Sequence, residues 1–225
     1  MSSCALISDS SVPFAVSLTG HLQGSPKRED FSFGLLTEPA VDSGLALPST
    51  AIPWNRSSTL SARTVLLDMK NKFSSFDRAL LIFDTVTFSE IIPDMEAASA
   101  IRCTDEYVRG YLLLVAELVK YFRQQKKGLI VFAVRSSTLV DAKISIPVAV
   151  AESAFMRLAE ETASSFANAS GDSGVQALLV KLDPVEDNVN LDWLSLQLTG
   201  PLPARTQVRW IKAGSRNLLF SHTKS

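Results

Sequence analysis

Residues 73–85 read FSSFDRALLIFDT, and residues 126–137 read KKGLIVFAVRSS. In both, a polar lead-in opens onto a short apolar run with no alternation between apolar and polar positions. Such runs are strands buried on both faces, and they need helices packed on either side of a parallel sheet. The rest of the chain supplies those helices. Residues 4–8 (CALIS) form a first strand, followed by a helix over about 14–22, and residues 31–37 (FSFGLLT) form a second strand. Residues 38–53 are rich in Pro, Gly and Ser and read as a surface excursion with no structure of its own. Helical spacing over 60–73 leads into the strand 78–83, and a long helix over 105–124 leads into the strand 128–134. An Ala/Ser-rich helix follows over 148–167, with Phe155, Leu158, Thr162 and Phe166 along one stripe. The strand 175–182 ends at Asp183-Pro184, and residues 208–212 with 217–220 could close the sheet. The expectation is one doubly wound α/β domain spanning residues 1–225.

The helix 105–124 carries a second message. Its centre, YLLLVAELVKYF, is apolar nearly all round. Leu112, Leu113, Val115, Val119 and Phe122 cannot all face one sheet, because neighbouring helical residues point in different directions. A helix of this kind needs cover on two sides, a sheet on one and another subunit on the other. Ala154, Phe155 and Leu158 of the helix 148–167 join the expected interface.

Composition excludes several functions. Twenty-two basic residues nearly balance 23 acidic ones, so the charge does not point to nucleic acid or an anionic membrane as a partner. The first residues lack a secretory pattern, and no apolar stretch is long enough for a membrane span, so the expected location is the cytoplasm. Cys4 and Cys103 read as reduced core thiols. His21 and His222 are the only histidines, which leaves little for a metal site or a histidine-based triad. Trp54, Trp193 and Trp210 read as core or interface anchors. Arg135-Ser136-Ser137-Thr138 follows a strand at the edge where open α/β sheets bind ligands. That arginine either holds an anion there or pairs with a carboxylate such as Glu152.

The order of these segments resembles the short-chain dehydrogenase/reductase family over almost the whole chain. FSSFD followed by ALLIFDT is similar to that family's F-G-x-x-D and fourth strand. KKGLIVFAVRSS is similar to its fifth strand, VAVAESAFMRLAEETASSFA (148–167) to its catalytic helix, and VQALLVKLDPV (175–185) to its sixth strand. The resemblance implies a Rossmann-like fold.

The resemblance also implies a chemistry that the matching positions do not carry. The family cradles a dinucleotide pyrophosphate on a glycine-rich turn after the first strand. Here that turn is Ser8-Asp9-Ser10-Ser11-Val12-Pro13-Phe14-Ala15, with Asp9, Pro13 and Ala15 where glycines are wanted. Pro13 removes an amide donor, and Asp9 puts a carboxylate beside the place of an anion. Two like charges ~5 Å apart at an effective dielectric of ~20 repel by roughly 3 kcal/mol, about two orders of magnitude in affinity. The family's catalytic Tyr and Lys fall on Val148 and Glu152, its Ser on Arg135 or, one residue on, Ser136, and its Asn near Tyr107. The only tyrosines are Tyr107, Tyr111 and Tyr121, and four residues beyond them stand Tyr111, Val115 and Gln125. No register supplies Y-x-x-x-K.

By this resemblance the chain is similar to the degenerate subunit of a heteromeric dehydrogenase such as (hydroxybenzyl)succinyl-CoA dehydrogenase. The expected function is a non-catalytic structural subunit of a hetero-oligomer, a tetramer by family analogy. An intact short-chain dehydrogenase partner would carry NAD(P) and act on a hydroxyacyl-CoA or 3-oxoacyl thioester. The expectation for this chain itself is no cofactor and no metal. The alternative is a ligand-sensing or regulatory protein that reuses the old pocket around Arg135.

Overall fold

The computed structural model describes residues 3–24, 31–39, 49–93, 95–136, 143–169 and 174–215. Seven parallel strands form one sheet: β1 (Ser3–Ile7), β2 (Phe31–Thr37), β3 (Ala51–Pro53), β4 (Arg78–Asp84), β5 (Gly128–Arg135), β6 (Val175–Leu182) and β7 (Ile211–Lys212). Their spatial order is β3-β2-β1-β4-β5-β6-β7. The order reverses between β1 and β4, and the crevice above that point is where doubly wound sheets take their ligands. β4 is buried at every position and β5 at all but Arg135, which accounts for their unbroken apolar sequences.

The helices are α1 (Pro13–Gly24), α2 (Thr59–Phe73), α3 (Thr85–Ile91), α4 (Ala97–Cys103), α5 (Gly110–Gln125), α6 (Ile146–Asn168) and α7 (Asp187–Thr199). A π-helical turn, Thr104–Arg109, joins α4 to α5 without a break. α2, α5 and α6 pack together through α5 and this turn, whereas α1 packs with α7. α6 begins where its sequence says it should. Ser145 Oγ accepts from the Val148 amide at 3.4 Å, and Pro147 sits in the first turn, where its missing N–H costs nothing. Arg78 fixes the end of α7 by donating to the carbonyls of Leu198 and Gly200, both at 2.6 Å.

Three sequence expectations need correction. Residues 38–53 are not all an excursion, because Ala51–Pro53 forms β3, with Ala51 and Ile52 buried beside Leu35 and Leu36. A three-residue strand ending in proline at a sheet edge leaves no periodic signal. The helix expected at 105 is already under way at Ala97, in a segment whose exposed Ile101 blurs the pattern. α7 shows no clear helical apolar spacing, because buried Asn190, Ser195 and Gln197 interrupt it. Asn190 is held by its own turn, donating to the Asp183 carbonyl at 2.6 Å and accepting from the Asp183 amide at 3.3 Å. Only Ile211–Lys212 of the expected last strand is β structure, and 217–220 lies outside the described residues.

The expected interface residues divide. Val115, Phe122 and Phe155 belong to this chain's own core, with exposures of 3%, 0% and 1%. Phe155 packs against Phe83, Tyr111 and Phe132, and Phe122 against Phe76 and Tyr121. Leu112 is exposed, while Leu113, Val119, Ala154 and Leu158 are half-buried. Of the tryptophans, Trp54 is buried edge-on to Tyr111, and Trp193 and Trp210 pack on the rim of the core.

Candidate functional site

The crevice above β1 and β4 is built from the ends of these strands and the turns that leave them. The turn after β1 uses its own amides. Ser10 N–H donates to Leu36 O at 2.8 Å, Ser11 N–H to Asp9 Oδ1 at 2.8 Å, and Val12 N–H to Asp9 O at 3.0 Å. Ser11 Oγ adds a bond to Asp9 Oδ1 at 2.7 Å, and Pro13 has no amide to give. Ala15 N–H donates to Val12 O at 2.9 Å, and the Ala15 side chain is fully buried. A glycine-rich phosphate turn offers free amides to an anion; here the Asp9 carboxylate takes that part from within the chain.

Asp9 does not stand as an uncompensated charge, which corrects the repulsion expected from sequence. Its carboxylate forms a buried ion pair with Arg56, which arrives from the turn after β3. Arg56 Nη2 also donates to Ser11 Oγ at 3.1 Å. The guanidinium lies 5.3 Å from the Trp54 ring centre, 5.5 Å from Phe88 and 4.8 Å from Tyr107. The obstacle to a second anion at this turn is therefore occupied space and occupied backbone amides, more than bare charge. The sequence could not show this partner, because 47 positions separate Arg56 from Asp9 and no motif links them.

A second arginine closes the other side. Arg135, at the end of β5, pairs through Nη1 with fully buried Asp84 at 3.1 Å and through Nη2 with Asp187 at 3.1 Å. Nη2 also donates to the Pro184 carbonyl at 3.1 Å, and the guanidinium lies 5.9 Å from the Phe14 ring. Asp84 meanwhile caps α3, its Oδ1 accepting from the Thr87 amide at 3.1 Å. The expected Arg135–Glu152 pairing gives way to these contacts. Glu152 instead accepts a short hydrogen bond from Ser136 Oγ. Ser137 and Thr138 lie outside the described residues. Val148 is fully buried against the start of α6.

None of the tyrosines reaches the crevice as a free phenol. Tyr107 stacks on Phe88 at 4.2 Å, and burial raises its pKa, opposed in part by the Arg56 charge beside it. Tyr111 is fully buried and donates to the Ile82 carbonyl at 2.6 Å, and Tyr121 stacks on Phe76. Burial pushes the Tyr111 pKa up from 10.0 to about 12. A group whose folded pKa lies above its unfolded value stabilises the fold fully below the unfolded value, and the benefit fades as pH rises through the folded one. Urea midpoints should therefore fall between pH 10.0 and about 12. Tyr111→Phe should flatten that decline at a cost near 1 kcal/mol for the lost hydrogen bond. An unchanged pH profile in the variant would contradict this assignment.

Other chemistry finds little material. Among the described residues no group of three or more His, Cys, Asp or Glu could hold a metal ion, and no helix is long and apolar enough to cross a membrane. Burial raises the Cys4 pKa to about 12 and that of Cys103 to about 11, so neither is an activated thiol.

The fold and this crevice define an α/β protein of the Rossmann-like, doubly wound class. Three solved structures share the arrangement. An oxidoreductase of the short-chain dehydrogenase/reductase family from Brucella ovis, with a partially ordered NAD, superposes with a TM-score of 0.65 at 10% identity, over 94% of this chain and 99% of that one. The 3-ketoacyl-(acyl-carrier-protein) reductase of Brucella melitensis, complexed with NADH, gives 0.64 at 14% over 95% and 98%. The enoyl-[acyl-carrier-protein] reductase (NADH) of Aquifex aeolicus VF5 gives 0.61 at 14% over 95% and 96%. At these identities the likeness is one of fold. In sequence the chain is 29% identical over 217 residues to an uncharacterized protein of Treponema pallidum (strain Nichols), covering 96% of this chain and 95% of that one. No protein-family model matches the sequence.

Proposed function

We propose that this chain is a non-catalytic subunit of a hetero-oligomer whose other subunit is an intact short-chain dehydrogenase. The observation that carries the reading is that the chain's own Asp9–Arg56 and Asp84–Arg135–Asp187 pairs fill the crevice. Two of the structures with the same fold are complexes with NAD or NADH. A dinucleotide entering here would have to displace the Asp9–Arg56 and Asp84–Arg135 ion pairs, and it would find the Ser10, Ser11 and Val12 amides of the turn after β1 already bonded within the chain. The position matching the family's catalytic tyrosine is Val148, which has no proton to transfer, and Glu152 in place of the lysine has the opposite charge. NAD(P) then belongs to the partner. Two of the structural relatives are acyl-carrier-protein reductases, which favours an acyl thioester, such as a hydroxyacyl-CoA or 3-oxoacyl-CoA, as the partner's substrate.

The partner's seat is the face between α5 and α6. Leu112, Val115, Ala116, Val119, Leu158 and Phe166 border an apolar groove of about 290 Å³. It adjoins a recess of about 370 Å³ under Val108, Leu112, Ala154 and Leu158. Apolar grooves of this kind, continuous along two helices, are what subunit interfaces cover.

Calorimetric titration of the isolated chain with NAD(H) and NADP(H), together with identification of what the native protein co-purifies with, tests the proposal. The expected outcome is no measurable cofactor binding and a dehydrogenase of similar length in the complex. A micromolar dissociation constant for either cofactor would overturn it. Restoring the pair with Val148→Tyr and Glu152→Lys should leave the chain inactive toward a generic ketone, because the turn and the arginine pairs remain.

A further inference from the structure

The far side of the crevice, away from Arg135, holds a pocket that the assembly reading does not use. It lies at the end of β3 and the start of the long helix, with a volume of about 300 Å³, between Glu38, Pro39, Trp54, Asn55, Arg56, Arg102 and Glu106. Two of these residues are almost wholly buried, Trp54 at 2% and Arg56 at 5% exposure. Each has a donor with no hydrogen-bond acceptor among the described residues: the Trp54 indole Nε1 and the Arg56 Nη1. Folded proteins rarely bury donors without partners, because each such group loses its water and gains nothing in return. Two in one pocket mean that the site is shaped for something that supplies acceptors.

We infer that this pocket binds the carboxylate of a small organic acid, with one oxygen taken by Trp54 Nε1 and the other by Arg56 Nη1. The Arg56 guanidinium lies over the Trp54 ring, 5.3 Å from its centre, and both side chains border the pocket. Asp9 and Ser11 hold Arg56 through Nη2, whereas its buried Nη1 has no acceptor among the described residues. Two donors match the two oxygens of a carboxylate. A phosphate dianion suits the site poorly, because Asp9 already shares the guanidinium and Glu38 and Glu106 border the opening. The Arg102–Glu106 pair, at 2.9 Å, sits at that opening, and Pro39 with the Trp54 ring gives the organic part an apolar wall. The inference shares Arg56 with the assembly reading but leaves the Asp9–Arg56 pair in place and does not involve the α5–α6 groove, so its test can fail without touching that reading.

The test uses the full chain labelled with 15N and follows the indole N–H resonances of its three tryptophans. Trp54→Phe assigns the Trp54 signal and keeps an aromatic ring in place. Titration with acetate and benzoate should shift the Trp54 signal saturably and leave those of Trp193 and Trp210 in place. Benzamide, the neutral counterpart of benzoate, should bind at least about tenfold more weakly, as expected when a charge-assisted hydrogen bond is lost. Trp54→Phe should weaken benzoate by a similar factor, read by calorimetry, with the remaining resonances showing an intact fold. The inference fails if neither acid shifts Trp54 at millimolar concentration, if benzamide binds as well as benzoate, or if Trp54→Phe leaves affinity unchanged. Saturation by inorganic phosphate in preference to both acids would also overturn it.

Discussion

Arg135→Met is expected to destabilise the chain by roughly 3–5 kcal/mol, the usual cost of breaking a buried ion pair from one side. Asp84 is fully buried, and among the described residues Arg135 is the cation that pairs with it. The loss would be a fifth or more of the total stability of an ordinary domain, roughly 5–15 kcal/mol. The measurement is the urea midpoint of the variant beside that of the wild type. A second substitution separates charge from packing. Asp84→Asn keeps an oxygen to accept from the Thr87 amide but removes the charge, so the double variant should recover most of the loss. A cost for Arg135→Met below about 1 kcal/mol would mean that the pair behaves like a solvent-exposed one. The crevice would then be softer than its geometry implies, and a ligand could displace the arginine.

The other large effect concerns assembly. A charge placed in the α5–α6 groove by Leu112→Glu, or in the adjoining recess by Ala154→Arg, should break the oligomer while leaving the fold intact. Leu112 is half-exposed in the single chain, so glutamate there costs little within the subunit. Across a covered apolar interface, the same carboxylate would be stripped of water with no partner. The few hot-spot residues near the centre of such an interface each contribute about 2 kcal/mol or more, and at that size dissociation rises about thirtyfold or beyond. Light scattering across a dilution series reads the change. Leu113→Glu is the internal control, since Leu113 borders neither the groove nor the adjoining recess. A wild-type chain that stays monomeric at high concentration would contradict the proposal, as would charged variants that leave the assembly whole. If the partner supplies the chemistry, Leu112→Glu in the complex should abolish activity with the partner's own active site untouched.

The sequence by itself determined the layered α/β architecture and the absence of a Y-x-x-x-K pair. Both rest on local properties. Strands such as β4 and β5 are apolar along their length because both faces are covered, and a count of three tyrosines holds in any alignment. The residues of the turn after β1 were also legible, since Ser8 to Ala15 follow one another in the chain. Only the tertiary structure decided what occupies the crevice. Asp9 meets Arg56, and Arg135 meets Asp84 and Asp187, across separations that carry no periodic or motif signal. The division of the long helix was equally hidden. Sequence spacing said that Leu112, Leu113, Val115, Val119 and Phe122 could not share one face. It could not say that Val115 and Phe122 turn inward, because an apolar side chain reads the same against a sheet, a neighbouring helix or another subunit. The pocket beneath Trp54 and Arg56 is a further step removed, for a buried donor is recognised as unpaired only once every neighbour is in place.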